Sequence, residues 1–134
     1  MKPAPNAPCP CGSGEKYKKC CRPYHAGGWA PDALSLMRSR YSGYALNLPD
    51  YLIATTHPNN PDHTTDTTRW REAITAFCTQ TEFEGLSILS VEAGERESFV
   101  TFRAKLSSGE MIERSRFVYE KGRWWYVDGE VEAT

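Results

Sequence analysis

Four thiols crowd into thirteen residues: Cys9 and Cys11, then eight residues, then the adjacent Cys20 and Cys21. Zinc takes four thiolates tetrahedrally at ~2.3 Å, and a shell closed by four protein ligands is structural rather than catalytic. A disulfide framework belongs to secreted chains, and the N-terminal stretch lacks the apolar core of a secretory signal. The expected setting is the cytoplasm, and the expected cofactor is one structural Zn²⁺ on Cys9, Cys11, Cys20 and Cys21. A segment so short and so poor in apolar side chains folds on metal rather than on burial. Gly12-Ser13-Gly14 permits a tight turn whose N–H groups can face the sulfurs. Glu15–Lys19 is read as a turn or short helix that returns Cys20 and Cys21 to the metal, with His25 as a spare ligand. Lys16, Lys18 and Lys19 suit the neighbourhood of an anionic zinc–thiolate centre. Together with Tyr17 they are the candidate partner-binding patch. Three readings of it stand: a solvated basic face, a protein-docking surface, and a weak, salt-sensitive RNA contact.

A second set of candidates lies further along: His57, Glu113, Tyr126 and Asp128. Glu113, Ser115 and Phe117 share one strand face by the period of two, and Trp124, Tyr126 and Asp128 share another. If both faces are concave, they frame a pocket with an aromatic wall, a carboxylate and a hydroxyl. Arg38 or Arg40 on the preceding helix would then pair with Glu113 and hold helix to sheet. His57 is the natural general base, since its unperturbed pKa lies near neutrality; its place before Pro58 also fits capping or packing. No GxSxG, HExxH, P-loop or GxGxxG string occurs. Catalysis stays open, with a non-enzymatic role the stronger expectation.

The elements that must position these residues follow from composition and periodicity. The chain has 134 residues and a formal net charge of −1. Residues 1–28 carry five bases against one acid, whereas residues 29–134 carry eleven against sixteen and hold every Trp and Phe. The sequence therefore divides into a metal-stapled module, 1–28, and a globular domain, 29–134. No apolar run approaches the ~18 residues of a membrane span, so no membrane association is expected. Helices are expected at 31–46, 49–56 and 68–79, with Pro31 and Pro49 at their starts. Strands are expected at 83–93, 98–107, 110–120 and 123–129, separated by turn residues. Helices followed by a meander give an α+β class with helices on one face of a curved antiparallel sheet.

The string CPCGSGEKYKKCC closely resembles the SEC-C motif, the zinc-binding tail of the translocase ATPase SecA. That resemblance implies zinc on the four cysteines and, as SecA's tail does, docking to a protein partner such as a chaperone or the ribosome. Helices followed by a meander at this length resemble the NTF2-like (cystatin-like) fold, a cone with a cavity between sheet and helices. The whole chain resembles the YchJ (UPF0225) family, in which a SEC-C motif precedes an NTF2-like domain. Leu36–Ser42, Tyr51-Leu52, Thr56–Pro58, Glu113–Phe117 and Trp124–Gly129 carry that match. The leading expectation is a zinc-binding adaptor that docks through its knuckle. The alternative is an NTF2-like enzyme or small-ligand-binding protein with purely structural zinc. The resemblance also admits a homodimer through the sheet.

Overall fold

The computed structural model describes residue 4 and residues 6–132. A 3-10 turn at Tyr17–Lys19 and a one-turn helix, α1 (Arg22–His25), complete the cysteine segment. Then come α2 (Ala33–Ala45), α3 (Pro49–Ala54) and α4 (Thr67–Gln80). The strands are β1 (Phe83–Glu92), β2 (Glu97–Leu106), β3 (Gly109–Glu120) and β4 (Arg123–Val131). The Asp32 carboxylate accepts the Ser35 N–H at 2.7 Å and so caps α2. Pro31 and Asp32 thus precede the helix instead of forming its first turn. Pro49 opens α3, where its missing N–H costs nothing.

The four strands form one antiparallel sheet in the order β1-β2-β3-β4. Val100, Phe102, Ala104 and Phe117 on its inner face pack against Ala33, Leu36, Met37 and Tyr41 of α2. The outer face carries cross-strand ion pairs, among them Arg114–Glu92 at 3.0 Å and Arg116–Glu97 at 2.9 Å. Phe99 lies on that outer face, 3.7 Å beneath the Arg114 guanidinium, and does not fill the cone.

A register shift in β4 decides which side chains enter the cone. Arg116 pairs with Asp128, but the next residue, Phe117, pairs with Tyr126, leaving Val127 as the extra residue of a bulge. Tyr126 therefore faces inward with Phe117. Asp128 turns outward and lies 3.5 Å from Arg116. This corrects the strict alternation that placed Tyr126 and Asp128 on one face. The chain after α3 runs beside β4 as a short parallel bridge: Tyr126 N–H donates to Thr55 O at 3.0 Å, and His57 N–H donates to Tyr126 O at 2.8 Å. No described helix is long and apolar enough to cross a membrane.

Candidate functional site

The cysteine segment folds as a small hairpin closed by Cys9 N–H to Glu15 O and Tyr17 N–H to Ala7 O, both 2.9 Å. The Sγ atoms of Cys9, Cys11, Cys20 and Cys21 all lie within 4.8 Å of one another. An ion with tetrahedral bonds of ~2.3 Å would set sulfur–sulfur edges near 3.8 Å. Cys11–Cys20 at 3.5 Å and Cys20–Cys21 at 3.9 Å bracket that value. Among the described residues this is the one cluster of His, Cys, Asp or Glu side chains that could hold a metal ion. Ser13 Oγ sits 3.1 Å from Cys20 Sγ, a further contact to a ligand sulfur. Hydrogen bonds from Cys21 and Cys9 hold the Cys11 thiol well below its ordinary range. Contact with Cys11 in turn pushes Cys9 up to about 11, and Cys21 higher still. The clustered thiols thus hold their protons unequally, and a metal would displace those that remain.

The knuckle is welded to the domain. Arg38 donates from Nη1 to Cys11 O at 3.0 Å. His25 Nε2 donates to Ser39 O at 2.8 Å, so its Nδ1 accepts from Tyr17 OH at 2.7 Å. Both ring nitrogens are committed, which removes His25 as a spare ligand. Tyr17 is 7% exposed and belongs to the core of the knuckle, with Cys9, Cys11 and Cys21. It offers no stacking face to a partner, a correction to the expected patch; Lys16, Lys18 and Lys19 remain exposed. Gly12, at φ +77°, approaches Leu86 O of β1 so closely that a Cβ would come within 3.3 Å of that oxygen. Only glycine combines that backbone with that approach.

Behind α2 lies a cavity of about 180 Å³. Its wall is apolar and aromatic, with Met37, Tyr41, Tyr44, Phe77, Phe83 and Phe102, and one end is polar, with Arg40, Glu113, Ser115 and Tyr126. Ser115 Oγ donates to Glu113 Oε2 at 2.5 Å and Tyr126 OH donates to the same oxygen at 3.3 Å. The carboxylate reaches this place because Gly129 has no side chain: a Cβ there would collide with Glu113 Oε2 and Cδ. Burial first, then the Glu113 charge, pushes the Tyr126 hydroxyl up, so it stays protonated as a donor. The expected pair of Arg38 or Arg40 with Glu113 does not form. Arg38 serves the knuckle. Arg40, 6% exposed, donates from Nη1 to Leu52 O, Thr55 Oγ1 and Thr56 Oγ1, and stacks 4.4 Å from the centre of the Tyr126 ring.

Of the four residues expected to do chemistry, Glu113 and Tyr126 meet in the cavity; His57 and Asp128 do not. His57 is 7% exposed, yet its Nδ1 accepts from Asn59 N–H at 3.0 Å and its Nε2 donates to Glu120 at 3.0 Å. It braces the loop against the β3–β4 hairpin. Cys78 is buried, and burial raises its thiol to about 11, leaving it inert at neutral pH. Gly129, and Phe77 and Phe83 as cavity residues, are not marked out by the sequence pattern. A lone glycine inside a strand pattern is the available signal, since it marks a close approach.

A cysteine knuckle joined to an NTF2-like domain defines the class of protein. Residues 32–129 match the family model "YchJ, middle NTF2-like domain", and residues 6–23 match the SEC-C motif. The chain belongs to the YchJ (UPF0225) family. It is 41% identical over 128 residues to a UPF0225 protein of Enterobacter sp. (strain 638), covering 90% of this chain and 81% of the relative. Its structure is similar to a SEC-C motif containing protein from Rhodopseudomonas palustris, with a TM-score of 0.79 and 32% identity over 95% of this chain and 100% of that one. A SEC-C motif containing protein from Psychrobacter arcticus matches at a TM-score of 0.73 and 29% identity, over 94% of this chain and 83% of that one.

Proposed function

We propose that the chain is a small-ligand-binding protein whose binding site is the cavity behind α2, and whose knuckle is a zinc-bound staple that holds α2 in place. One observation carries this reading: among the described residues, the half-buried Glu113 carboxylate at the polar end of an apolar cavity is held by two hydroxyl donors, with room made for it by Gly129, and has no counter-ion. A carboxylate so placed is available to a group that enters the cavity. Binding is favoured over catalysis because the histidine that would act as base is spent on Glu120, outside the cavity. Zinc is the metal favoured by four clustered thiolates with tetrahedral spacing. The test is a titration with 2-phenylethanol followed by amide NMR of the zinc-loaded protein. Shifts should gather at Tyr41, Phe102 and Glu113, and Ala104→Phe should abolish them by filling the cavity. Shifts that survive this filling, or none at millimolar probe, would overturn the reading.

A second reading, docking of a protein partner through the knuckle, is favoured by the exposure of Lys16, Lys18 and Lys19 around the half-buried Cys20. It predicts that charge reversal at these three lysines abolishes partner capture without loss of metal.

A further inference from the structure

We infer that the cavity takes a ligand with a small aromatic or aliphatic body and a cationic ammonium head, the head seated on Glu113. The inference rests on the cavity being a binding site and adds the chemistry of what it binds. Among the described residues, no Lys, Arg or His nitrogen lies within 4.0 Å of the Glu113 carboxylate. Its Oε2 takes both hydroxyl donors; its Oε1 accepts no hydrogen bond from any described residue. Tyr41 is 5% exposed and its hydroxyl is buried against the Gly85 backbone, so it gives the cavity its ring rather than its oxygen. The cavity thus offers a carboxylate oxygen as an open acceptor beside aromatic rings, which is what an ammonium head uses.

The rest of the wall suits a cation as well. Tyr41, Tyr44, Phe77 and Phe83 form one aromatic cluster, with ring centres 5.8–6.3 Å apart in four contacts. Ring faces attract ammonium groups within about 6 Å. Arg40 is the competing feature, since its charge would favour an anionic head. Its Nη1 is already given to three oxygens at the end of α3, and Tyr126 covers its face. The volume admits a benzene-sized body with a short arm, since an apolar cavity of ~150 Å³ accommodates benzene.

Three probes with similar bodies separate the alternatives: 2-phenylethylamine, 2-phenylethanol and 3-phenylpropionate, each titrated into the zinc-loaded full chain at pH 7 by calorimetry and amide NMR. The amine should bind at least about tenfold more tightly than the alcohol, a charge-assisted hydrogen bond replacing a neutral one. The propionate should bind weakest. Glu113→Gln should bring the amine-to-alcohol ratio close to one. Gly129→Ala, which displaces the carboxylate by a different route, should reduce the same ratio; circular dichroism would verify that both variants are folded. Tightest binding by the propionate would assign the head to Arg40 and overturn the inference while leaving the cavity reading intact. Equal binding by all three would do the same. Binding by none would overturn both.

Discussion

Gly129→Ala is the most incisive single change in this domain. The added methyl lands on the Glu113 carboxylate, so the side chain must swing away. Two hydrogen bonds to a charged oxygen are lost, each worth about 1.5–3 kcal/mol, although the displaced carboxylate regains water. The Ser115 hydroxyl, fully buried, is left without its acceptor. Against this, alanine in a strand is favoured over glycine by roughly 0.5–1 kcal/mol. The net expected loss is about 2 kcal/mol, or a fall in Tm of roughly 7–9 °C for a chain of this size. The decisive comparison is the same substitution in a Glu113→Ala background. There the obstruction is gone, and Gly129→Ala should stabilise by roughly 0.5–1 kcal/mol. The sign therefore reverses, with a coupling energy of about 3 kcal/mol. Guanidinium unfolding followed by tryptophan emission, with zinc saturating, measures all four corners of the cycle. An equal effect of Gly129→Ala in both backgrounds would refute the idea that this glycine exists to house the carboxylate.

Three further outcomes are expected. Zinc binding should displace protons from the cysteine thiols, so affinity climbs with pH and the apparent binding heat varies with buffer ionisation enthalpy; a buffer-independent heat would contradict this. His25→Ala strands the Tyr17 hydroxyl, takes the imidazole donor from Ser39 O, and should cost about 1–3 kcal/mol. Amide exchange should quicken across Cys9–Cys21 while β2 and β3 stay protected; uniform protection would show that the knuckle holds without this clamp. Burial raises the Tyr51 hydroxyl to about 12, so the folded state keeps a proton that the unfolded chain loses near pH 10. The stability from this group is complete below pH 10 and disappears as pH rises to about 12, and Tyr51→Phe should flatten that part of the alkaline unfolding profile.

The metal ligands and the order of elements are legible in the sequence because both are local. The spacing of Cys9, Cys11, Cys20 and Cys21 gathers four thiols at one point through a short turn, and the meander shows in alternation between turn residues. Glu113 and Tyr126 are legible as pocket residues because each is polar on a strand rich in aromatics. What is hidden depends on pairing between strands. Nothing near Trp124–Gly129 announces that Val127 is surplus, and that one residue sends Asp128 outward while keeping Tyr126 inside. The partners of Arg38, Arg40 and Tyr17 are likewise settled by distant backbone: Cys11 O, Leu52 O and the His25 ring. A lone basic or aromatic residue carries no local mark of which acceptor it will meet.

Helix α2 is a party wall. Arg38 and Ser39 serve the knuckle on one side; Met37, Arg40, Tyr41 and Tyr44 line the cavity on the other. Little of its middle is free to drift without being felt in one room or the other. In this chain the knuckle is consequently fitted to its own domain. Grafting residues 6–23 onto another scaffold would leave behind the surface it was cut to fit, while deleting them would strip the wall of one of its two supports. The two parts of this chain are therefore expected to be engineered together, as one unit with two interiors.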